Sequence, residues 1–524
     1  EEVVIKGSEI WEKDWEQEQI DREENKNTKV WKTDYERLPW DYPEEWSEPC
    51  AGPTYRCEQI YVDDQLLKHV ASKEELADTP MSFYTNENEG LIWINLNDNS
   101  KPEMHLFERS CRKQIFAPLV RGLGYIRVQG FTMKHAANVE SCPDSWLEVP
   151  PRGALSTRSG NHWIIEDNIV TGANAAGMSV GQEANWRPTR MNIEPRVSSE
   201  QVGNHQIKRN VASYNGQAGI IGRGGTNNTI LEGNITNYNG YNMNIEGNEQ
   251  AGIKLHFAQN CIIRRHTSIG NNGLGIWLDY EVGHNRITQG IYLENMRGGI
   301  FIEAPDKPNL VDTNVIIGTR DAPGKKWGSG LYSHNSESIT WINNISVNNK
   351  GFGIRLRQWD HEFGYSSNHK IFNNIFAGNG RGEISLRPEY SKANNNQCNY
   401  NIFGELESSP QLRLENSPAT DVKWDNTEIG EEFNIEGYES VTMPLKKWKE
   451  FVYRDEKSIS LSVEELFPEV AGKFGELKPL SPSDMLEKLK YVAREVYSIS
   501  PDEGYTDEIK PGDVHQILNE INNI

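Results

Sequence analysis

Gly252-Ile-Lys-Leu-His256, Gly275-Ile-Trp-Leu-Asp279, Gly299-Ile-Phe-Ile-Glu303, Gly330-Leu-Tyr-Ser-His334 and Gly353-Ile-Arg-Leu-Arg357 share one pattern: glycine, apolar, variable, apolar, variable. Their glycines lie 23, 24, 31 and 23 residues apart. Weaker copies run over 153–157, 177–181, 219–223 and 383–387, and a second register places an asparagine after a short β-rich stretch at Asn168, Asn210, Asn234, Asn314, Asn344, Asn374 and Asn401. Each unit alternates as a strand does and is too short to close a core alone. Stacking the units from successive coils buries the Ile and Leu column, and asparagines at the turns can bond their neighbours above and below. Residues 116–403 are therefore predicted to form a parallel β-helix, an all-β solenoid, right-handed by the crossover rule. Leucine-rich repeats would need a denser leucine pattern and propellers would need antiparallel hairpins with turn pairs.

Outside the repeat the texture changes. Residues 1–115 begin rich in Trp, Glu and Asp and turn strand-like at Ile60-Tyr-Val-Asp63 and Leu91-Ile-Trp-Ile-Asn95, which predicts a β-rich cap over one end of the solenoid. Residues 404–524 read as a mixed C-terminal segment, loop-rich and acidic, with one helix from Pro482 to about Val496.

Hydrophobic residues make up 36% of the 524 and the formal charge is −22, which argues against nucleic acid as a partner. No apolar run is long enough to span a membrane. The chain opens at Glu1, without methionine, and this predicts a removed export signal and a secreted or periplasmic location. Six scattered cysteines form neither a disulfide framework nor a zinc-type pair; Cys50 and Cys57 are near enough in sequence for a local bridge or for two free thiols.

Strand alternation decides which side chains face outward. One outward column reads Lys254, Trp277, Phe301, Tyr332, Arg355; the other reads His256, Asp279, Glu303, His334, Arg357. Asp279 and Glu303 share a strand offset one coil apart, so their Cα atoms should be separated by roughly 4.8 Å. Two carboxyl groups about 5 to 5.5 Å apart suit the nucleophile and acid/base of a retaining glycosidase. Like charges that close are expected to raise one pKa and keep one proton near neutrality, although an acidic surface pair would show the same spacing. Trp277, Phe301 and Tyr332 supply aromatic faces for sugar rings. Lys254, His256, His334, Arg355 and Arg357 can donate to hydroxyls or an anionic substituent, or simply balance charge. Glu249, three residues before Gly252, can reach the same cleft. No metal or cofactor is called for.

These residues carry a resemblance. Glu249-Gln-Ala-Gly-Ile-Lys-Leu-His256, Gly275 to Asp279, and Gly299 to Glu303 followed by Leu310-Val-Asp-Thr-Asn-Val315 resemble the catalytic coils of glycoside hydrolase family 120, the β-helical β-xylosidases. Val62-Asp-Asp-Gln-Leu-Leu67, Phe83-Tyr-Thr-Asn86 and Leu91-Ile-Trp-Ile94 are similar to the front segment of these and related β-helical hydrolases. The likeness covers most of residues 50–403, and its specific motifs lie in three coils. It implies Asp279 as nucleophile, Glu303 as acid/base and Glu249 as a substrate-binding carboxylate, acting on an oligosaccharide. Three alternatives stand beside a neutral xylose-type substrate. The basic residues Arg223, Lys254, His256, His334, Arg355, Arg357 and Arg387 flanking the acids would suit a uronate- or sulfate-bearing sugar. A polysaccharide lyase would use a Lys or Arg base on the same scaffold, and an adhesin would use the surface without catalysis.

Overall fold

The computed structural model describes residues 2–20, 28–36, 38, 58–96, 100–138, 152–182, 201–242, 249–305, 307–358, 365–388, 395–405, 410–416, 423–462 and 466. The chain is an all-β right-handed parallel β-helix. Its three faces follow from three short strands per coil. One face is an eleven-stranded sheet carrying Leu155–Ser156, Ala176–Ser179, Ala218–Arg223, Ala251–His256, Leu274–Asp279, Gly298–Glu303, Ser329–His334, Phe352–Arg357, Gly382–Leu386 and Gln411–Leu414 in parallel, closed by antiparallel Val441–Pro444. A second face is a ten-stranded sheet from Arg127–Gln129 to Gln397–Asn399. The third is split into four and seven strands, bridged by single contacts from Val211 to Ile235 and from Ile235 to Thr267.

The alternation read from the sequence is the packing. Ile253, Leu255, Ile276, Leu278, Ile300, Ile302, Ile354 and Leu356 are fully buried in the main core, where Ile263, Ile287, Val311 and Trp341 of the second face meet them. The leading glycines keep the faces close: a Cβ at Gly299 would lie 2.5 Å from the Ile316 side chain on the third face. The asparagines form buried ladders in which each side-chain oxygen accepts from the backbone N–H of the preceding coil, as Asn210 does for Asn168, Asn234 for Asn210, and Asn374 for Asn344. A parallel ladder through Asn215, Asn239, Asn271 and Asn295 follows the same rule. These amides answer turn N–H groups that a solenoid interior would otherwise leave unpaired.

Both ends exchange strands with their flanks. Val3–Lys6 pairs in parallel with Phe131–Lys134, so the first residues of the N-terminal segment belong to the stack. The rest of that segment forms a five-stranded sheet with the short helix Lys73–Asp78, and a four-stranded antiparallel sheet that contains Ile60–Val62 and Phe107–Ser110. At the other end, stacking continues past residue 403: Gln411–Leu414 lies on Gly382–Leu386, and Ile459–Ser462 lies on Ile402–Glu405. Buried Trp424 and Trp448 cover the final coil. The predicted helix from Pro482 to Val496, and Cys50 and Cys57, lie outside the described residues.

Candidate active site

Cross-strand register places the two outward columns as the alternation predicts. Lys254 pairs with Trp277 and His256 with Asp279; Trp277 then pairs with Phe301 and Asp279 with Glu303. Phe301 and Glu303 pair in turn with Tyr332 and His334, and these with Arg355 and Arg357. Asp279 and Glu303 thus occupy adjacent strands at one offset on the same face.

The upstream half of the site is a buried charge cluster. Lys254 Nζ donates to Asp279 Oδ2 at 2.6 Å and lies 3.6 Å from Glu249 Oε1. His256 Nε2 is 3.2 Å from Asp279 Oδ2 and 3.5 Å from Glu249 Oε2. Glu249 reaches in from a left-handed residue with φ of 67° at the strand entrance. Lys254, His256 and Asp279 are 0%, 2% and 3% exposed, so these charges act on one another with little screening by water. Burial pushes the Asp279 carboxyl up, but Lys254 and His256 outweigh it and hold Asp279 well below the usual carboxylate range. The same two cations hold Glu249 down against its own burial, while burial and Glu249 oppose each other at His256, whose imidazole ends above its ordinary value. Asp279 is therefore held ionised, and the expectation that crowding raises a pKa does not hold for it: attraction to the Lys254 ammonium and the His256 imidazole outweighs its burial. Among the described residues, Asp279 Oδ1 is buried without a hydrogen bond. Glu249, His256 and Asp279 offer ligand atoms close enough to share a cation, and the Lys254 ammonium already supplies the positive charge between the two carboxylates.

The downstream half centres on Glu303. Trp277 Nε1 donates to Glu303 Oε2 at 3.0 Å, and His334 Nε2 shares a 2.6 Å hydrogen bond with Glu303 Oε1. Tyr332 Oη lies 2.9 Å from the other His334 nitrogen. Burial works against charge on His334, but Tyr332 and Glu303 raise its pKa to about 10. This imidazole is the residue that carries a proton at neutral pH beside Glu303.

The aromatic column differs from an open platform. Trp277 and Phe301 are 9% and 5% exposed, their rings stack with centroids 5.4 Å apart, and Phe301 stacks on Tyr332 at 4.6 Å. Lys254 lies over the remaining face of Trp277. Side chains one coil apart pack face to face along the solenoid axis, so the ring faces are spent on one another and not left open. Phe301, expected with Trp277 and Tyr332 to offer a face to sugar rings, is stacked between them instead.

Arg355 and Arg357 are drawn to a residue the sequence reading passed over. Arg355 makes a two-pronged bond to Glu415 through Nε and Nη2, and Arg357 Nε is 3.5 Å from the same carboxylate. Leu412-Arg-Leu-Glu415 repeats the apolar, variable alternation, but no glycine precedes it to mark it as a coil.

Comparisons with known proteins agree with the fold. A model of the right-handed β-helix region matches residues 152–322 and 236–403. No curated protein matches the chain. Among solved structures, XylC in complex with xylose is similar at a TM-score of 0.57 and 22% identity, over 77% of this chain and 73% of that one. A protein described as a glycoside hydrolase gives 0.44 and 11% over 68% and 81%, and a mutant of the periplasmic alginate epimerase AlgG gives 0.37 and 14% over 54% and 69%. At 22% identity the likeness to XylC is one of fold, and with the matching β-helix model it identifies this chain as a right-handed parallel β-helix.

Proposed function

We propose that the chain is a retaining glycoside hydrolase of oligosaccharides, β-xylosidase-like and acting from a chain end, with Asp279 as nucleophile and Glu303 as acid/base. The observation that carries this reading is the division of labour between two carboxylates in adjacent coils. Asp279 is kept ionised by Lys254 and His256 and has one oxygen outside any hydrogen bond among the described residues, as attack on an anomeric carbon requires. Glu303, one coil on, accepts from Trp277 Nε1 and shares a hydrogen bond with His334, so its carboxyl is held in place next to a group that can resupply a proton. As Asp279 attacks the anomeric carbon the glycosidic bond breaks, the leaving oxygen takes the proton of the Glu303 carboxyl, and the covalent glycosyl-enzyme forms; water that gives a proton back to Glu303 then displaces Asp279 and releases the sugar with its configuration retained. Glu249, Lys254 and His256 border the sugar position and can hold its hydroxyls as well as tune Asp279. XylC, whose structure holds xylose, supports a pentose as the first substrate to try.

The test is a screen of aryl β-xylosides and xylo-oligosaccharides followed by proton NMR of the first-formed product. Asp279→Ala is expected to lower kcat by about 10⁴-fold or more, and Glu303→Ala to spare substrates with good leaving groups and to respond to added azide. Inversion at the anomeric carbon would sink the retaining assignment. Products absorbing as unsaturated uronates would instead identify a lyase.

A further inference from the structure

The outer side of the third face changes character along its length. In Val315–Ile317 and Ile375–Ala377 apolar residues follow one another without alternation, the pattern of a strand buried on both sides. The middle residues, Ile316 and Phe376, point into the main core. The residues flanking them point away from it and belong to a separate apolar cluster. One outer column of that cluster runs through Val315, Ile345, Ile375 and Ile402. Its neighbour runs through Leu293, Ile317, Val347 and Ala377. Followed upstream, the first column reaches Ile169, which is 41% exposed, and the second holds the polar Thr171 and Ser213.

Downstream, these outer residues are closed off from water: Ile345, Ile375 and Ile402 are at most 2% exposed. A sheet covered on one side only leaves its other side wet, so a further layer lies over this one. Among the described residues, the one member of the cluster that comes from outside the strands of the sheet is Leu466, itself buried. It follows the last stacked strand, Ile459–Ser462, and meets the sheet at its downstream end, where a Cβ at Gly404 would lie 3.2 Å from Leu466 Cδ1. The chain has thus left the stack and turned back onto its outer face. One leucine covers about one strand, whereas the apolar columns cross five, from Ile291–Leu293 to Ile402–Glu405, roughly 19 Å at one strand spacing per coil. After Leu466 the sequence continues to Ile524, outside the described residues. It carries Met485, Leu486, Leu489, Val492 and Val496 at helical spacing, and the helix predicted from Pro482 to Val496 would be roughly 22 Å long. Stripe and face match in length and in character.

We propose that the chain downstream of Leu466 docks on the outer side of the third face, with the stripe from Met485 to Val496 laid along the columns from Leu293 to Ile402. The stretch between Leu466 and Pro482 can reach any of the five strands, since extended chain spans up to about 3.3 to 3.6 Å per residue. Glu487 and Arg494 fall opposite the apolar stripe on the helical wheel and stay in water. The docked segment lies on a different face from Asp279 and Glu303, and closes the side of the solenoid as the flanks close its ends.

The experiment uses the full chain carrying Ala377→Cys, a small outer-column position that the docked segment shields. Labelling of that thiol by a maleimide is followed by peptide mass spectrometry, which separates it from the native cysteines. Carboxylates facing an apolar sheet undo the docking, so adding Leu489→Asp and Val492→Asp is expected to speed labelling about tenfold or more, whereas Arg494→Glu, on the opposite side of the helix, leaves the rate unchanged. A second measurement keeps the sheet unaltered: a photoreactive p-benzoylphenylalanine in place of Leu489 is expected to crosslink, within one chain, to the strands between Ile291 and Glu405. Fast labelling of Ala377→Cys on its own, a rate unmoved by Leu489→Asp and Val492→Asp, or crosslinks that are absent or fall on other faces would overturn the proposal. Crosslinks formed only between chains would overturn it too, and make a second copy the occupant.

Discussion

Asp279 shows how a single side chain is tuned by its neighbours in space and not in sequence. Lys254 lies in the preceding coil and in the other outward column, yet its ammonium is 2.6 Å from the carboxylate. Spacing could place Asp279 beside Glu303, but which charge dominates depends on how far a lysine stem bends across one strand, and no periodicity encodes that. Replacing Lys254 by Met removes the largest influence that holds the Asp279 pKa down. The carboxyl then rises, the ionised fraction falls at acid pH, and the acid limb of kcat/KM should move to higher pH by about one to two units. A pH profile of Lys254→Met coincident with the wild type on its acid side would separate Asp279 from the nucleophile role. The aromatic residues make the same point: alternation aligned Trp277, Phe301 and Tyr332, but their burial comes from stacking across coils at 5.4 and 4.6 Å.

The coil is the element that the sequence displays most openly, because two periodicities multiply: alternation fixes inside and outside, and the repeat fixes the neighbour. Every pairing from Lys254 with Trp277 to His334 with Arg357 follows from those two rules. Where the marker glycine is missing, as before Leu412, the coil was not legible although its alternation is intact. One ladder offers a sharp test of the buried turns. Asn349 bonds to Asn379, whose side-chain amide donates to Glu383, so a carboxyl takes the final place in a row of amides. Burial raises Glu383 to about 8, more than its hydrogen bonds from Asn379 lower it. A carboxyl raised in the folded state contributes stability that is whole below its unfolded value near 4.5 and is lost as pH rises through about 8. Glu383→Gln cannot ionise, so its stability should track the wild type below about pH 4.5 and exceed it increasingly up to about pH 9, by on the order of 5 kcal/mol, with the thermal midpoint moving in the same direction. Parallel midpoint curves for the two proteins would show that Glu383 titrates normally.

At the level of the whole molecule, a stack of strands has two open ends, and both are closed by chain distant in sequence. Val3–Lys6 covers Phe131–Lys134, with Lys6 Nζ bonded to the buried Glu108 at 2.6 Å. A four-residue strand without a repeat partner carries no signature, which is why the sequence assigned it to the cap. Deleting residues 2–7 should uncover the Phe131–Lys134 edge, lower the thermal midpoint and promote concentration-dependent association, read by light scattering. A monomeric deletion variant with the wild-type midpoint would show that the edge is guarded by something else.

The pairing of Asp279 with Glu303 across one strand spacing also bears on how such a protein can change over generations. Each acid belongs to its own coil, and each coil touches chiefly the next. A tandem duplication of the coil from Leu274 to Arg297 would set a second aspartate beside the first without disturbing the faces, and loss of one coil beyond Glu303 would bring Arg355 and Arg357 next to it. The distance from the acids to any group farther along the column is then inherited as a number of coils, a whole-number trait that recombination can alter in one step.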